Sequence, residues 1–314
     1  MINLRGEIFM TATIISILNM KGGVGKTTIT TNISVELFNR DKRVLVIDVD
    51  PQFNSTQTLM KFFEKNLDTY FNLRDQDKTL ARVFQSTNQS RGISNSQALD
   101  IKTSTASIIH TLNSNDKGGV LDIIPGDMGL IVDINDTASD KFKSFIKKNN
   151  LKNNYDYILI DCPPTWGQLT SVALSTSDYY LIPTKLDEFS TIGITLLAEL
   201  LSDKVNSVNK PLKNLGVVYM FLKKNKAKDG IARDQKKFRT DIENYFTDTM
   251  EELVDSKVKP FDTLFYNYDY LITKSALYFD EAIETRHPKH KKKIHDLVDE
   301  IQNRLTEGAQ KNEL

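Results

Sequence analysis

Cysteine is almost absent from this chain: one residue, Cys162, in 314. That count excludes a disulfide framework within the chain and fits a reducing compartment. It also excludes a metal or iron–sulfur site built from several cysteines of one chain. Net charge is absent too, because 41 Lys and Arg balance 41 Asp and Glu. Any contact with nucleic acid must then rest on a local basic patch, since no global field attracts a polyanion. Prolines are few, at 8, and no run of 18 or more apolar residues occurs, which leaves no candidate membrane span. The opening stretch "MINLRGEIFMTATIISILNM" leads straight into a glycine loop, so its apolar run reads as a buried strand, not as a signal peptide. Residues 1–12 are a lead-in, with Met10 an alternative start that would make residues 1–9 dispensable. A soluble, cytoplasmic protein is expected.

What remains is the composition of an ordinary globular protein, 39% hydrophobic and 26% charged. Short continuous apolar runs recur along it: "TIISILNM" (13–20), "RVLVIDVD" (43–50), and segments 121–127, 155–164, 178–186 and 214–223. Such runs suit strands buried on both faces. Helical stretches separate them: Ile29, Ile33 and Leu37 share one helical face, and 191–205 and 234–254 are further helices. This alternation predicts a doubly wound α/β fold across residues 1–314, with a mostly parallel sheet and helices on both faces. Residues 60–120 fit less well and read as an excursion between core strands, helical at first and then rich in Ser, Thr, Asn and Gln. The tail 306–314 is polar.

The strongest chemical signal is "KGGVGKTT", Lys21 to Thr28, placed between a predicted strand and a predicted helix. That context marks a P-loop, and makes a glycine turn without ligand the weaker reading. Gly22, Gly23 and Gly25 let backbone N–H groups on either side of Val24 converge on phosphate oxygens. A helix starting near Lys26 adds its positive end. Lys26 supplies charge to the β- and γ-phosphates of ATP, Thr27 offers a hydroxyl to Mg²⁺, and Thr28 continues the helix start. Three aspartates lie where parallel sheets hold ligands, at strand ends: Asp48 and Asp50 in "VLVIDVDPQFN" and Asp161 in "YILIDCPP". Asp161 reads as the carboxylate that positions hydrated Mg²⁺. Asp48 and Asp50 are expected to serve different roles.

Together "KGGVGKTT", "VLVIDVDPQFN", "YDYILIDCPP" and "LIPTKLDEFSTIGI" resemble the signature stretches of the ParA family of deviant-Walker-A partition ATPases, with MinD and the nitrogenase iron protein as relatives. The likeness is strong over 12–60 and 150–220. It implies an ATPase, weak alone, that is stimulated by a ParB-like partner. Lys21 matches the lysine that crosses a dimer interface to the other subunit's nucleotide, and with Lys26 and Asp50 it forms the implied catalytic set. Asp50 matches the residue orienting the attacking water. Asp48 and Asp161, with Thr27, match the groups around Mg²⁺. Pro163 and Pro164 match switch II, and 183–188 matches a segment near the adenine and the dimer face.

Three functions compete under that resemblance. A metal-cluster reductase fails on its cysteine count. A MinD-like membrane switch needs a basic amphipathic C-terminal helix. Segment 292–305 has an apolar face of Ile294, Leu297, Val298, Ile301 and Leu305, but Asp296, Asp299 and Glu300 oppose an anionic membrane. That helix is expected to close the domain's own core, with no stable membrane association. DNA segregation finds two basic clusters in the C-terminal third. One contributes Lys223, Lys224, Lys226, Arg233, Lys236 and Lys237, the other Arg286, Lys289, Lys291 and Lys292. The expectation is an ATP-dependent homodimer that binds DNA non-specifically and is nucleoid-associated when ATP-bound. The P-loop begins about twenty residues in, so no N-terminal helix-turn-helix or operator binding is expected.

Overall fold

Alternating side chains divide each central strand between two cores, and this division explains the layered architecture. The computed structural model describes residues 11–85, 108–207, 212–223, 230–245, 260–267 and 277–310. In β1 (Thr13–Ile17), Ile14 faces one core while Ile15 and Ile17 face the other. In β2 (Arg43–Asp48), Leu45 and Ile47 oppose Val44 and Val46 in the same way. Both faces are buried, so the strands read as unbroken apolar runs.

Five further strands complete the sheet: β3 (His110–Ser114), β4 (Val120–Ile124), β5 (Tyr157–Asp161), β6 (Tyr179–Thr184) and β7 (Lys213–Tyr219). Their order is β3-β4-β2-β5-β1-β6-β7. Every pairing is parallel except β3 with β4. The predicted doubly wound, mostly parallel sheet is therefore the observed one. β3 escaped prediction because "HTLNS" is an edge strand with largely exposed side chains, so it carries no apolar run to detect.

Helices fill both faces. On one side α1 (Lys26–Asn39), α2 (Asn54–Phe63) and the C-terminal α12 (Pro288–Gln310) enclose the core that contains Ile29, Leu59 and Leu297. On the other side α6 (Ala138–Lys148), α8 (Gln168–Thr176), α9 (Glu188–Ser207) and α10 (Arg233–Tyr245) enclose Phe142, Val172, Leu197 and Ile242. Shorter helices link these layers: α3 (Asp68–Asp75), α4 (Ala81–Phe84), α5 (Leu130–Asp133), α7 (Leu151–Asn154) and α11 (Glu281–Arg286). Within the excursion, the helical stretch from residue 60 breaks into α2, α3 and α4. Left-handed residues at Lys65 and Asp77 sit in the breaks. Residues 86–107 lie outside the described residues, as does the predicted helix beyond Tyr245.

The predicted closing role of the last helix holds. Ile294, Leu297, Val298 and Ile301 are all buried, and Leu305 packs against the same core. Arg304 then donates to the carbonyls of Leu215 and Pro260, at 2.8 and 2.7 Å, fastening α12 to β7 and the segment beside it. Among the described residues no helix is long and apolar enough to cross a membrane.

Candidate functional site

The register of the sheet brings the sequence-predicted aspartates together. Asp161 is paired with Ile17 across β1/β5 and with Asp48 across β2/β5, so three adjacent strands end level with one another. The loop from β1 to α1 wraps this end of the sheet. Gly25 caps α1 with φ +98°, a left-handed conformation that a side chain resists. A Cβ there would also stand 2.9 Å from the Met220 methyl carbon.

A pocket of about 740 Å³ opens over the loop. It is lined by Gly22, Gly23, Gly25, Lys26, Thr27 and Thr28, by Asp50, Gln52 and Asn54 after β2, and by Lys185 to Asp187 after β6. Phe221, Lys223, Gln235, Phe238 and Asn267 also line it. Lys26 is 7% exposed, and its ammonium donates to the Lys21 carbonyl at 3.1 Å. Burial pushes its pKa down, while the charges of Asp161 and Asp50 push it back up.

The three aspartates are not equivalent. Asp161 is fully buried and accepts from the Thr27 hydroxyl at 2.8 Å and the Ser55 hydroxyl at 2.6 Å. Burial, with the nearby Asp50 charge, raises its pKa to about 6 despite those two hydrogen bonds and Lys26. Asp48, also fully buried, accepts from the backbone N–H and hydroxyl of Thr56, both at 2.8 Å. Burial and the Asp161 charge drive its pKa upward. Behind it, a Cβ on Gly126 would meet the Asp48 carbonyl at 3.0 Å, so the chain passes too close for a side chain. Asp50 alone of the three lines the pocket, accepting from the Gln52 N–H at 3.0 Å. Asp48 and Asp50 thus differ in their surroundings, because β2 ends at Asp48 and Asp50 lies beyond it.

Lys21 behaves unlike Lys26. Its ammonium donates to both carboxylate oxygens of Asp187, at 2.7 and 2.8 Å, and to the Ser190 hydroxyl at 3.2 Å. It therefore lies against the start of α9, at the rim. Beside it, Phe189, Ile192 and Leu196 are 75%, 56% and 50% exposed at helical spacing. Sequence reasoning missed Ser55, and marked segment 183–188 without singling out Lys185 or Asp187. The rule that ligands gather at the carboxyl ends of parallel strands would have flagged Lys185 and Asp187, because they follow β6 directly.

The basic clusters divide differently from their order in sequence. Lys223 sits at the pocket and pairs with Asp234 at 2.9 Å. Arg233, Lys236 and Lys237 are exposed on α10, in one helical layer. Arg286, Lys289 and Lys292 are exposed on α11 and α12, which belong to the opposite layer. Lys291 is half-buried and pairs with Glu284 at 3.0 Å. Lys224 and Lys226 lie outside the described residues.

Comparison with known proteins agrees with this geometry. A family model described as an AAA domain (AAA_31) matches residues 12–214. The sporulation initiation inhibitor protein Soj of Bacillus subtilis is 32% identical over 212 residues, covering 67% of this chain and 72% of that protein. The chromosome partitioning protein ParA of Caulobacter vibrioides is 28% identical over 231 residues, covering 70% of this chain and 74% of that protein. Among solved structures, pNOB8 ParA bound to nonspecific DNA superposes with a TM-score of 0.66 at 21% identity, covering 94% of this chain and 99% of that one. A P-loop with two lysines, strand-end aspartates in register and these relatives converge on one conclusion: the chain belongs to the ParA family of partition ATPases.

Proposed function

We propose that this protein is a DNA-segregation ATPase that dimerises around ATP, binds DNA without sequence preference in that state, and is reset when a ParB-like partner stimulates hydrolysis. The observation that carries the reading is the division of labour between two lysines five positions apart. Lys26 is buried under the loop, whereas Lys21 is turned to the rim, where it is bound by Asp187 and Ser190. A lysine at the rim can serve a nucleotide held by another subunit. The exposed apolar stripe on α9 continues from the same rim, and a second copy of this chain is the occupant that would cover it.

Within one subunit, the loop N–H groups and Lys26 hold the β- and γ-phosphates. Asp50, facing the pocket, is placed to orient a water against the terminal phosphate. Mg²⁺ fits the residues present: Thr27 and Asp161 share a hydrogen bond beside the pocket, and burial, the main cause of the upward shifts of Asp48 and Asp161, leaves carboxylates that a cation would favour in their charged form. Among the described residues no cluster of three or more His, Cys, Asp and Glu side chains could hold a metal ion alone. Mg²⁺ ordinarily draws most of its ligands from water and phosphate oxygens. When bound, it neutralises charge on the phosphate oxygens. Asp48 serves at one remove, pinning the Thr56 backbone and so the entry to α2.

DNA binding rests on exposed Arg233, Lys236, Lys237, Arg286, Lys289 and Lys292, which suit phosphate contacts independent of sequence. One solved relative in fold is bound to nonspecific DNA. Dimerisation doubles the basic surface, so nucleotide state would set DNA affinity and with it association with the nucleoid. The membrane alternative loses its one supporting feature, because the apolar face of α12 is spent on the core. The deciding experiment is a low-salt shift assay on random-sequence DNA with ATP, ADP and no nucleotide. Binding gained with ATP only is the expected result; equal binding in all three, or binding to anionic vesicles in place of DNA, would overturn the proposal.

A further inference from the structure

Lys185 lies outside the glycine-rich motif, yet it stands at the phosphate loop. It is the first residue after β6, the strand hydrogen-bonded to β1, so it emerges at the same ligand-bearing end of the sheet. Its ammonium lies 5.0 Å from the centre of the Phe221 ring. It is also 3.9 Å from where a Cβ on Gly23 would stand. The Phe221 ring in turn lies against Gly25, 3.2 Å from the Cβ position there. The side chain thus reaches the loop from the pocket, with its charge near Gly23 and the Phe221 ring near Gly25.

The neighbouring lysines all have polar partners. Lys26 donates to the Lys21 carbonyl, Lys21 to Asp187 and Ser190, and Lys223 to Asp234. The Lys185 ammonium has no hydrogen bond or ion pair to any described residue; the Phe221 face is its contact. Partial burial, together with the Lys21 charge, pushes its pKa down, with Asp187 acting the other way. A half-buried cation without a counter-ion is costly unless a ligand supplies one. The pocket that Lys185 lines is built around backbone N–H groups and a helix N-terminus, both of which select anions.

We propose that Lys185 is a second phosphate-binding lysine, contacting the terminal phosphates of the nucleotide from the β6 side while Lys26 contacts them from the β1 side. The inference rests on the ATP-binding reading and adds a residue that the motif does not contain. Two cations from two strands would clamp the polyphosphate, and the affinity would then depend on the end of β6 as well as on the loop.

Calorimetric titration of the full chain with ATP and ADP tests this. Lys185→Met keeps the aliphatic stem over Phe221 and removes the charge; Lys185→Gln is a second uncharged variant; Lys185→Arg restores the charge. Thermal melts establish that each variant is folded. The loss of one charged hydrogen bond should weaken ATP binding on the order of tenfold or more in the Met and Gln variants. The Arg variant should stay close to wild type, and the deficit should narrow as salt is raised. ATP affinity unchanged in Met and Gln would overturn the proposal, and so would an Arg variant as weak as Met, which would point to packing instead of charge. A wild-type chain that bound no nucleotide would sink the ATP reading itself, a result distinct from either.

Discussion

Asp187 decides what Lys21 can do. Burial would raise the Asp187 pKa, but the hydrogen bonds from Lys21 and Ser190 hold it below the usual carboxylate value. In the single chain, the lysine proposed to reach a partner's nucleotide is therefore already engaged, and under that proposal its transfer must break this pair. Two variants separate the steps. Lys21→Ala should keep nucleotide binding but lose ATP-dependent dimerisation and partner-stimulated hydrolysis, read by light scattering and phosphate release. Asp187→Ala should shift the monomer–dimer balance toward dimer at equal ATP, because the competing partner is gone. Normal stimulated turnover in Lys21→Ala, or a monomer-favouring Asp187→Ala, would remove this role from Lys21.

At the scale of elements, the buried and exposed faces of one helix carry separable expectations, for stability and for the proposed DNA binding. Leu297 on α12 is fully buried against the α1 layer. Its truncation to Ala should cost about 2–5 kcal/mol in urea unfolding, as deletions in packed cores do. Membrane docking by α12 would predict little change. The starts of β2 and β5 are joined by Asp156, which accepts from the Arg43 N–H and guanidinium, both at 2.8 Å. Burial pushes the Asp156 pKa up, but these contacts outweigh it and hold the value down. A depressed carboxylate stabilises the fold fully above its unfolded pKa, and that contribution is lost as pH falls through the folded value. Below about pH 4 wild type should therefore lose stability faster than Asp156→Asn, which itself should be about 1 kcal/mol weaker at neutral pH. Parallel acid-unfolding curves would contradict this. The basic clusters, set in opposite layers, can be tested apart. Charge reversal at Lys236 and Lys237 on α10, or at Lys289 and Lys292 on α12, should weaken DNA binding and leave ATP binding unchanged. An effect from one pair only would assign the contact surface to that layer.

At the scale of the whole molecule, zero net charge means that the proposed affinity for DNA must come from local patches, which a second subunit would duplicate. The salt dependence of binding then reports the number of phosphates contacted. Its slope should be steeper for the ATP-bound dimer than for any binding seen without nucleotide. Equal slopes would mean that nucleotide state does not change the contact surface.

Much of the molecule is legible in its amino-acid order. The parallel sheet, the P-loop and the strand-end aspartates announce themselves because strands buried on both faces form apolar runs, and phosphate chemistry demands glycine and lysine at set spacings. β3 is illegible, since an exposed edge strand has no such run. Sequence alone determined the glycine-rich loop between a strand and a helix, and the two lysines that attend it. Only the tertiary structure decided which way each lysine turns. That depends on Asp187, Ser190 and Lys185, which lie more than 160 residues beyond Lys21 along the chain. They arrive beside the loop because β6 pairs with β1, and no local pattern encodes that adjacency.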